Sequence, residues 1–547
     1  MKLLSLLPLS LLVAPAAAQG WDFQTLAAEG DVVPGVGTIT SIQNLAVNNG
    51  LDWRVEADTN NPVTDDDYVL LGPSGLLLQE NQSLPLPVGA LLDSFDALTL
   101  DSNSNSAVNF FLDGTTGSSD DSGIYYNLNL LVQEGQFTTA TGVSAGTKYT
   151  GFFETKLADN GDILVMASMD DPLIASTTDR VLMRLTVDVS GNLASETVVW
   201  KESDVLPGTT GMVTDFGTGP HQFDMNDAGS ILFYADTDLP SGTDGFIYAD
   251  STQLAAEGGP SPIVGRLWSS LSSPEVALNN SGDYVFSGSL QGDSASNLLI
   301  IKNGSKFRQE GDPVPSLPTF SFTSFGSGPI DLADNGDVLW YGDWNDPATD
   351  FDTGLFLNDE LIVQEGVTAI GGVIVDSLSG VQEGYFISDD GRFIIFEATL
   401  DDGTNGAFLA TRSGSIMDIP GCFPDGSTMK WMFGEPVIGS VLQLEFSAPV
   451  ASFGLRYLGI SGTSLADGAG CGIFAPGIGE LLIGVVPPDP FVLPMGAHLG
   501  TGTIVPLGIP NDITFVGLTF HLQSFNLYTA GPTPITVTNA LQLTLGI

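Results

Sequence analysis

Two short patterns recur along the chain at the same interval of about 54 residues. The first is an apolar stretch ending in Glu, usually followed by Gly: LAAEGD at Glu29, LLQEN at Glu80, LVQEG at Glu134, VWKESD at Glu202, LAAEG at Glu257, FRQEGD at Glu310 and IVQEG at Glu365. Their spacings are 51, 54, 68, 55, 53 and 55. The second is a polar turn leading into an apolar strand, with Gly at 50, 161, 229, 282, 336 and 391 and Asn105 in the glycine place of one unit. Those spacings are 55, 56, 68, 53, 54 and 55. Two independent markers on one beat define a structural repeat. The single long interval falls at the same place in both series and predicts an insertion near residues 170–198, as an extended hairpin or loop.

The local chemistry of a unit is that of hairpins. Asn-Gly, Asp-Gly and Ser-Gly supply the positive φ of tight turns. The ILV, VLWY and FIIF runs that follow are short and rich in β-branched or aromatic residues, as strands are. In GLFLNDELIVQEG (354–366) a second turn, Asn358-Asp359, separates two further strands. Four short strands per unit and seven units predict an all-β fold: a seven-bladed β-propeller-like repeat domain over residues 19–415. The first Glu-Gly strand (21–30) has no turn motif before it, and the last turn motif (Gly391) has no Glu-Gly strand after it. Residues 21–30 are therefore expected to complete the blade containing 385–412, which would close the ring and cover its open edge. The strand at 415–419 competes for that place.

Residues 420–547 read differently. Alternating strands such as VLQLEFS and TFVGLTFHLQ are punctuated by Gly and Pro, and the only two cysteines, Cys422 and Cys471, lie here. The expectation is a small disulfide-linked β-sandwich. Two unpaired thiols are the alternative.

Residues 1–18 have the form of a secretory signal: Lys2, an apolar run from Leu3 to Val13, and Ala16-Ala17-Ala18 before Gln19. The expected location is therefore secreted or cell-surface, with no transmembrane segment in the mature chain. The 547 residues carry 65 Asp and Glu against 15 Lys and Arg, a formal net charge of −50. Such a chain repels phosphate, which argues against nucleic acid and anionic membranes as partners. The hydrophobic share of 43% excludes a disordered acidic tail. The charge is uneven: residues 420–547 hold seven acids and two bases, so the acidity belongs to the repeats.

NDAGSILF (226–233) and NNSGDYVF (279–286) both read N-x-x-G-x-x-x-F. This resembles the secreted bacterial tandem-repeat proteins named for that motif, as does E-G-D-x-x-P at Glu29–Pro34 and Glu310–Pro315. The tail resembles the C-terminal domain of secreted planctomycete-type proteins through PGC (420–422), GEPVIGSVLQLEFSAP (434–449), GC (470–471), IPND (509–512) and TNALQLTLG (538–546). Both resemblances imply an exported protein and supply no catalytic residues.

No phosphate-binding loop or dinucleotide fingerprint occurs. Of the three histidines, His221 is expected on a solvent-facing insertion, with a general base as the alternative. His498 and His521 are expected as surface or satisfied strand positions. The repeated Glu is expected at a strand end accepting turn hydrogen bonds, with a channel-lining cation ring as the alternative. Calcium, which takes six to eight oxygens, has candidate loops at 58–67, 101–106, 223–229 and 401–406, none completing a calcium-loop motif. No residue pattern marks a catalytic group or a metal-ligand set. The reading is thus a non-catalytic binding or structural protein of the envelope or extracellular space, its partner an unknown extracellular ligand or envelope component. The alternative is a polysaccharide hydrolase or lyase, on fold analogy alone.

Overall fold

The computed structural model describes residues 20–61, 68–172, 180–217, 219–271, 274–380, 383–422, 427–447, 454–466, 470–476, 478–484, 491–498, 503–528 and 535–546. The expected signal segment, the loop 62–67 and part of the expected insertion lie outside them. Nearly every element is a β-strand. The chain divides into two compact units, one made chiefly of residues 23–409 and one chiefly of 410–547.

Among the described residues the first unit contains seven antiparallel sheets that follow one another in sequence. Their central strands are apolar on both faces; Asp162–Asp170 (DILVMASMD) and Phe393–Leu400 (FIIFEATL) are almost wholly buried. A strand pressed between two neighbouring sheets loses the alternation of a one-sided sheet and reads as a continuous apolar run. The shared cores show the stacking directly. Leu70 and Leu78 of the first sheet pack with Phe95, Phe110 and Tyr125 of the second. Met166 and Leu182 of the third pack with Phe223, Phe233 and Tyr248 of the fourth. Val285 and Ile300 of the fifth pack with Phe322, Trp340 and Phe356 of the sixth. Each sheet also touches the next through one particular strand, and the seventh touches the first, so these strands line a central channel.

Seven outer strands complete the sheets, and the outer strand of the seventh is Trp21–Ala28, beside Asn405–Arg412. The amide of Glu29 donates to the carbonyl of Asn405 at 2.8 Å. The ring is therefore closed by its own first strand. The competing strand, Ser415–Ile419, pairs instead with Ile535–Thr544 of the second unit.

The long interval in the repeat is partly accounted for by strand length. In the third sheet Arg180–Val187 and Leu193–Lys201 run 8 and 9 residues, where their counterparts in the second sheet have 5 each. One detail of the sequence reading changes. The glycine place of the turn motif has a left-handed backbone, with φ of 77° to 87° at Gly161, Gly229, Gly282, Gly336 and Gly391. In the first two sheets that place is held by Leu51 (φ 59°) and Ser104 (φ 66°), one residue away from Gly50 and Asn105.

The second unit has a five-stranded sheet and a three-stranded sheet, with a two-stranded hairpin. Met429, Leu442, Leu444 and Phe446 from the smaller sheet share one core with Leu458, Leu522, Leu541 and Leu543 from the larger. Cys422 and Cys471 form a disulfide. The carboxylate of the buried Glu480 ties the same two segments, accepting from the amides of Cys422 at 2.7 Å and Gly472 at 2.6 Å. No helix among the described residues is long and apolar enough to cross a membrane.

Candidate functional site: the acid-lined channel

The polar turns of the repeat meet at one end of the channel, and their chemistry explains the motif. In the N-x-x-G turn the first Asn does two jobs. Its Oδ1 closes its own turn, accepting from Ser230 N for Asn226 (3.0 Å) and from Asp283 N for Asn279 (2.8 Å). Its Nδ2 donates to the carbonyl of the next turn around the ring: Asn226 to Asn279 at 3.1 Å and Asn279 to Ala333 at 2.9 Å. Asn48 does the same toward Asp101 at 2.9 Å. The motif's Phe233 and Phe286 fill the cores between sheets. Replacing Asn279, 2% exposed, by Ala is expected to cost about 2 kcal/mol, since two side-chain hydrogen bonds go, although the carbonyl of Ala333 keeps the Gly336 amide as a donor. Urea unfolding checks this.

The residue after that Asn builds a second belt. Asp159 accepts from the backbone and hydroxyl of Ser102. Asp227 accepts from Asp159 N at 2.7 Å, Asn280 from Asp227 N at 2.8 Å, and Asp334 from Asn280 N at 2.8 Å. Asp334 N then donates to the main-chain carbonyl of Asp389 at 2.6 Å, not to its side chain.

Three residues deeper, the equivalent positions of the seven innermost strands are Ala46, Thr99, Lys156, Asp224, Ala277, Asp331 and Phe386. Here the repeat stops repeating. Asp224 is fixed by amides of Leu278 (2.7 Å) and Met225 (2.8 Å), and Asp331 by those of Ile387 (3.0 Å) and Leu332 (2.9 Å). Together with the belt they line a cavity of about 170 Å³.

The asymmetry has a backbone cause. The innermost strand is continuous in the first three sheets, but in the fourth to seventh it is broken into two pieces, as in Val213–Asp215 and Phe223–Met225. The breaks place His221 at the channel and bring Glu275 and Glu383 within the field of Lys156. His221 was expected to face solvent. It is instead 5% exposed, lines the cavity, lies 5.8 Å from the ring of Phe386, and its Nε2 has no hydrogen-bond partner. The insertion is a break in an inner strand, so it points into the ring.

Burial dominates the electrostatics. Desolvation pushes Glu56 up to about 8 against the hydrogen bond from Asn44, with Glu383 and Asp96 adding repulsion. It pushes Glu275 up to about 8 and Asp224 up to about 6, in both cases against the pull of Lys156. Glu154 and Glu383 are raised by burial too. Asp389 is solvent-exposed at the mouth, but enclosing protein, then the carboxylates of Asp159, Asp331, Asp334 and Asp227, push it up to about 8. Burial, then Lys156, hold His221 well below the ordinary imidazole range.

Carboxyls raised in the folded chain make folding take up protons. Their stabilising contribution is full below about pH 4.5 and is lost as pH rises through about 8 for Glu56 and Glu275. His221 opposes this only below its ordinary pKa of 6.5, where the neutral buried ring resists protonation. The melting temperature is therefore expected to fall between pH 6.5 and 8.5, as scanning calorimetry can read.

The other candidates sort as follows. The repeated Glu ends the outer strand of each sheet, away from the channel. Glu80 accepts from Tyr68 N (3.2 Å), Glu257 from Leu271 N (2.7 Å) and Glu310 from Asn297 N (3.0 Å), as strand-end acceptors. Asp101 spends its carboxylate on Asn103 and Asn105 of its own turn, and Asp402 accepts from Thr404 N. Among the described residues of the proposed calcium loops, only 223–229 reaches the cavity, through Asp224 and Asp227, and 62–67 lies outside the described residues. Among the described residues no group of three or more His, Cys, Asp or Glu is placed to hold a metal ion. His521 is buried in the second unit with Nδ1 unpartnered, whereas the side chain of His498 lies outside the described residues.

Comparison with known proteins adds a family and a set of distant folds. A model described as a family of unknown function (DUF7453) matches residues 189–415, the end of the third sheet and the four sheets with broken inner strands. No curated protein matches. Among solved structures, a subtype N11 neuraminidase-like protein of A/flat-faced bat/Peru/033/2010 is 10% identical, covers 73% of this chain and 95% of its own, and has a TM-score of 0.31. Trypanosoma rangeli sialidase in complex with sialic acid is 8% identical over 96% and 95%, TM-score 0.25. Penicillium chrysogenum alpha-L-arabinanase complexed with arabinobiose is 11% identical over 71% and 98%, TM-score 0.25. Overlap at that level carries no assignment of activity, so the chain is characterised by its own geometry and by its similarity to a family whose function is not known.

Proposed function

We propose that this is an exported binding protein of the extracellular space or cell envelope, and that its ligand site is the acid-lined mouth of the ring's channel. One observation carries the reading. The outer strands and their Glu-ended turns recur from sheet to sheet, whereas the layer at the cavity does not repeat: Lys156, Asp224, Asp331 and Phe386 stand at positions equivalent to Ala46, Thr99 and Ala277. A ring with only a scaffolding role has no need of that difference. The cavity of about 170 Å³ suits a small ligand, being well below the roughly 300–1,000 Å³ of larger ligand sites. Export rests on residues 1–18 and on the disulfide. The resemblance to N-x-x-G-x-x-x-F repeat proteins points the same way.

A second reading, glycan hydrolysis or elimination at the same place, is favoured by the unequal carboxylates around Asp224 and Asp389, since acid and base roles need carboxyls of different pKa. Calorimetric titration with a panel of small sugars, amines and cations, run beside turnover assays on oligosaccharides, tests both. Saturable binding without turnover is the expected result. Turnover of any glycan would establish the second reading instead.

A further inference from the structure

We propose, resting on the reading of the channel as a ligand site, that its ligand is a small organic ammonium compound: an amine or amino sugar whose N–H groups bridge several carboxylates at once. The cavity is lined by Asp159, Asp224, Asp227, Asp331, Asp334 and Asp389, and among the described residues its only Lys or Arg is Lys156. An anion is repelled by that array. A neutral sugar leaves its charge uncompensated.

The spacing of the carboxylates separates an ammonium compound from a metal ion. They stand on two levels, the turn belt and the layer three residues below it, and are spread around the ring on different sheets. No three of the described groups converge on one point, as the oxygen ligands of calcium must. A molecule carrying several separated N–H donors meets such an array where a point charge cannot. Most of the acceptors are also fixed before any ligand arrives. Amides of Leu278 and Ile387 hold Asp224 and Asp331, and the belt holds Asp159, Asp227 and Asp334. Among the described residues Asp389 takes no hydrogen bond on its carboxylate, and it faces the water of the mouth.

A second observation is independent of the acids. Beside them are an aromatic ring, Phe386, and His221, 95% buried with Nε2 unpartnered. The π face of Phe386 favours a cation over a neutral molecule. The imidazole stays neutral, so it adds no competing positive charge. The lumen already accepts one ammonium: Lys156 exerts its field on Glu154, Asp224, Glu275, Asp331 and Glu383. The ligand supplies a second.

The test is calorimetric titration of the mature chain at pH 7.5 and low salt with putrescine, with the pair glucosamine and glucose, and with calcium chloride. Putrescine and glucosamine are expected to bind and glucose not to. Asp224→Asn should weaken the amine by about tenfold or more, the worth of one charge-assisted hydrogen bond to a carboxylate that is ionised at this pH. Lys156→Met, which removes the resident cation, should tighten it. Both variants are confirmed as folded by circular dichroism and melting. Equal binding of glucose and glucosamine overturns the ammonium and leaves the channel site standing. Calcium displacing the amine, or no binding by either amine at millimolar concentration, also overturns it. Amine binding unmoved by both variants places the site elsewhere and overturns the channel reading itself.

Discussion

Replacing Trp340 by Ala is expected to lower the stability of the ring by about 3–5 kcal/mol, the cost of a large aromatic cavity in a close-packed core. Trp340 has no measurable exposure. It stacks on Phe356 at 4.6 Å and 16°, and meets Phe322 edge-on at 5.2 Å, Phe325 at 5.8 Å and Phe307 at 6.0 Å. Its indole N–H donates to the carbonyl of Asn358 at 3.0 Å. Deleting the ring removes the pairings, and the contact of the Arg308 guanidinium over the ring at 5.4 Å, together with the buried apolar area. Trp340→Phe keeps most of the aromatic contacts and should cost much less. Urea titration followed by circular dichroism reads both variants. A loss below about 1 kcal/mol for Trp340→Ala would mean that the contact between the fifth and sixth sheets is looser than the packing indicates.

Removing the disulfide by changing Cys422 and Cys471 to Ala is expected to cost the second unit about 4 kcal/mol, the loop-closure value for a separation of this length. That separation is 49 residues. The hydrogen bonds that the amides of residues 422 and 472 donate to the Glu480 carboxylate persist in the variant and hold the same segments in register. Glu480→Gln in that background should therefore cost more than it does in the oxidised protein. Melting of the variant chains measures both effects. Additive losses would show that the carboxylate and the disulfide constrain separate movements.

Much of the fold was legible because it follows from short-range rules. The turn glycines need a positive φ, the strands between them are too short for helices, and their continuous apolar character reports burial on both faces. The seven-fold beat matches the seven sheets found among the described residues, and the unmatched first strand pointed to the closing place for which 415–419 also competed. Leu51 and Ser104 escaped because a non-glycine residue can hold a left-handed turn when its neighbours impose it. The site was far less legible. The acids that line the cavity are a small subset of 65, and nothing in a local window separates Asp224, in the cavity, from Asp402, in a solvated turn. His221 was misplaced for the same reason: FGTGPHQF reads as a polar surface loop, and only the break in the innermost strand turns it inward.

The sequence alone therefore determined the repeat and the positions of its turns, because these depend on backbone conformation and on a count; the closing strand and the cysteine pairing were expectations with alternatives, and the sheets hold four to six strands where four per unit were expected. Tertiary structure alone decided which carboxylates share a cavity, that Lys156 is their resident cation, and that His221 is buried and neutral. Those properties arise when seven strands, each about 54 residues from the next in the chain, converge on one axis. There, desolvation and the summed field of distant residues set charge states that no local pattern records.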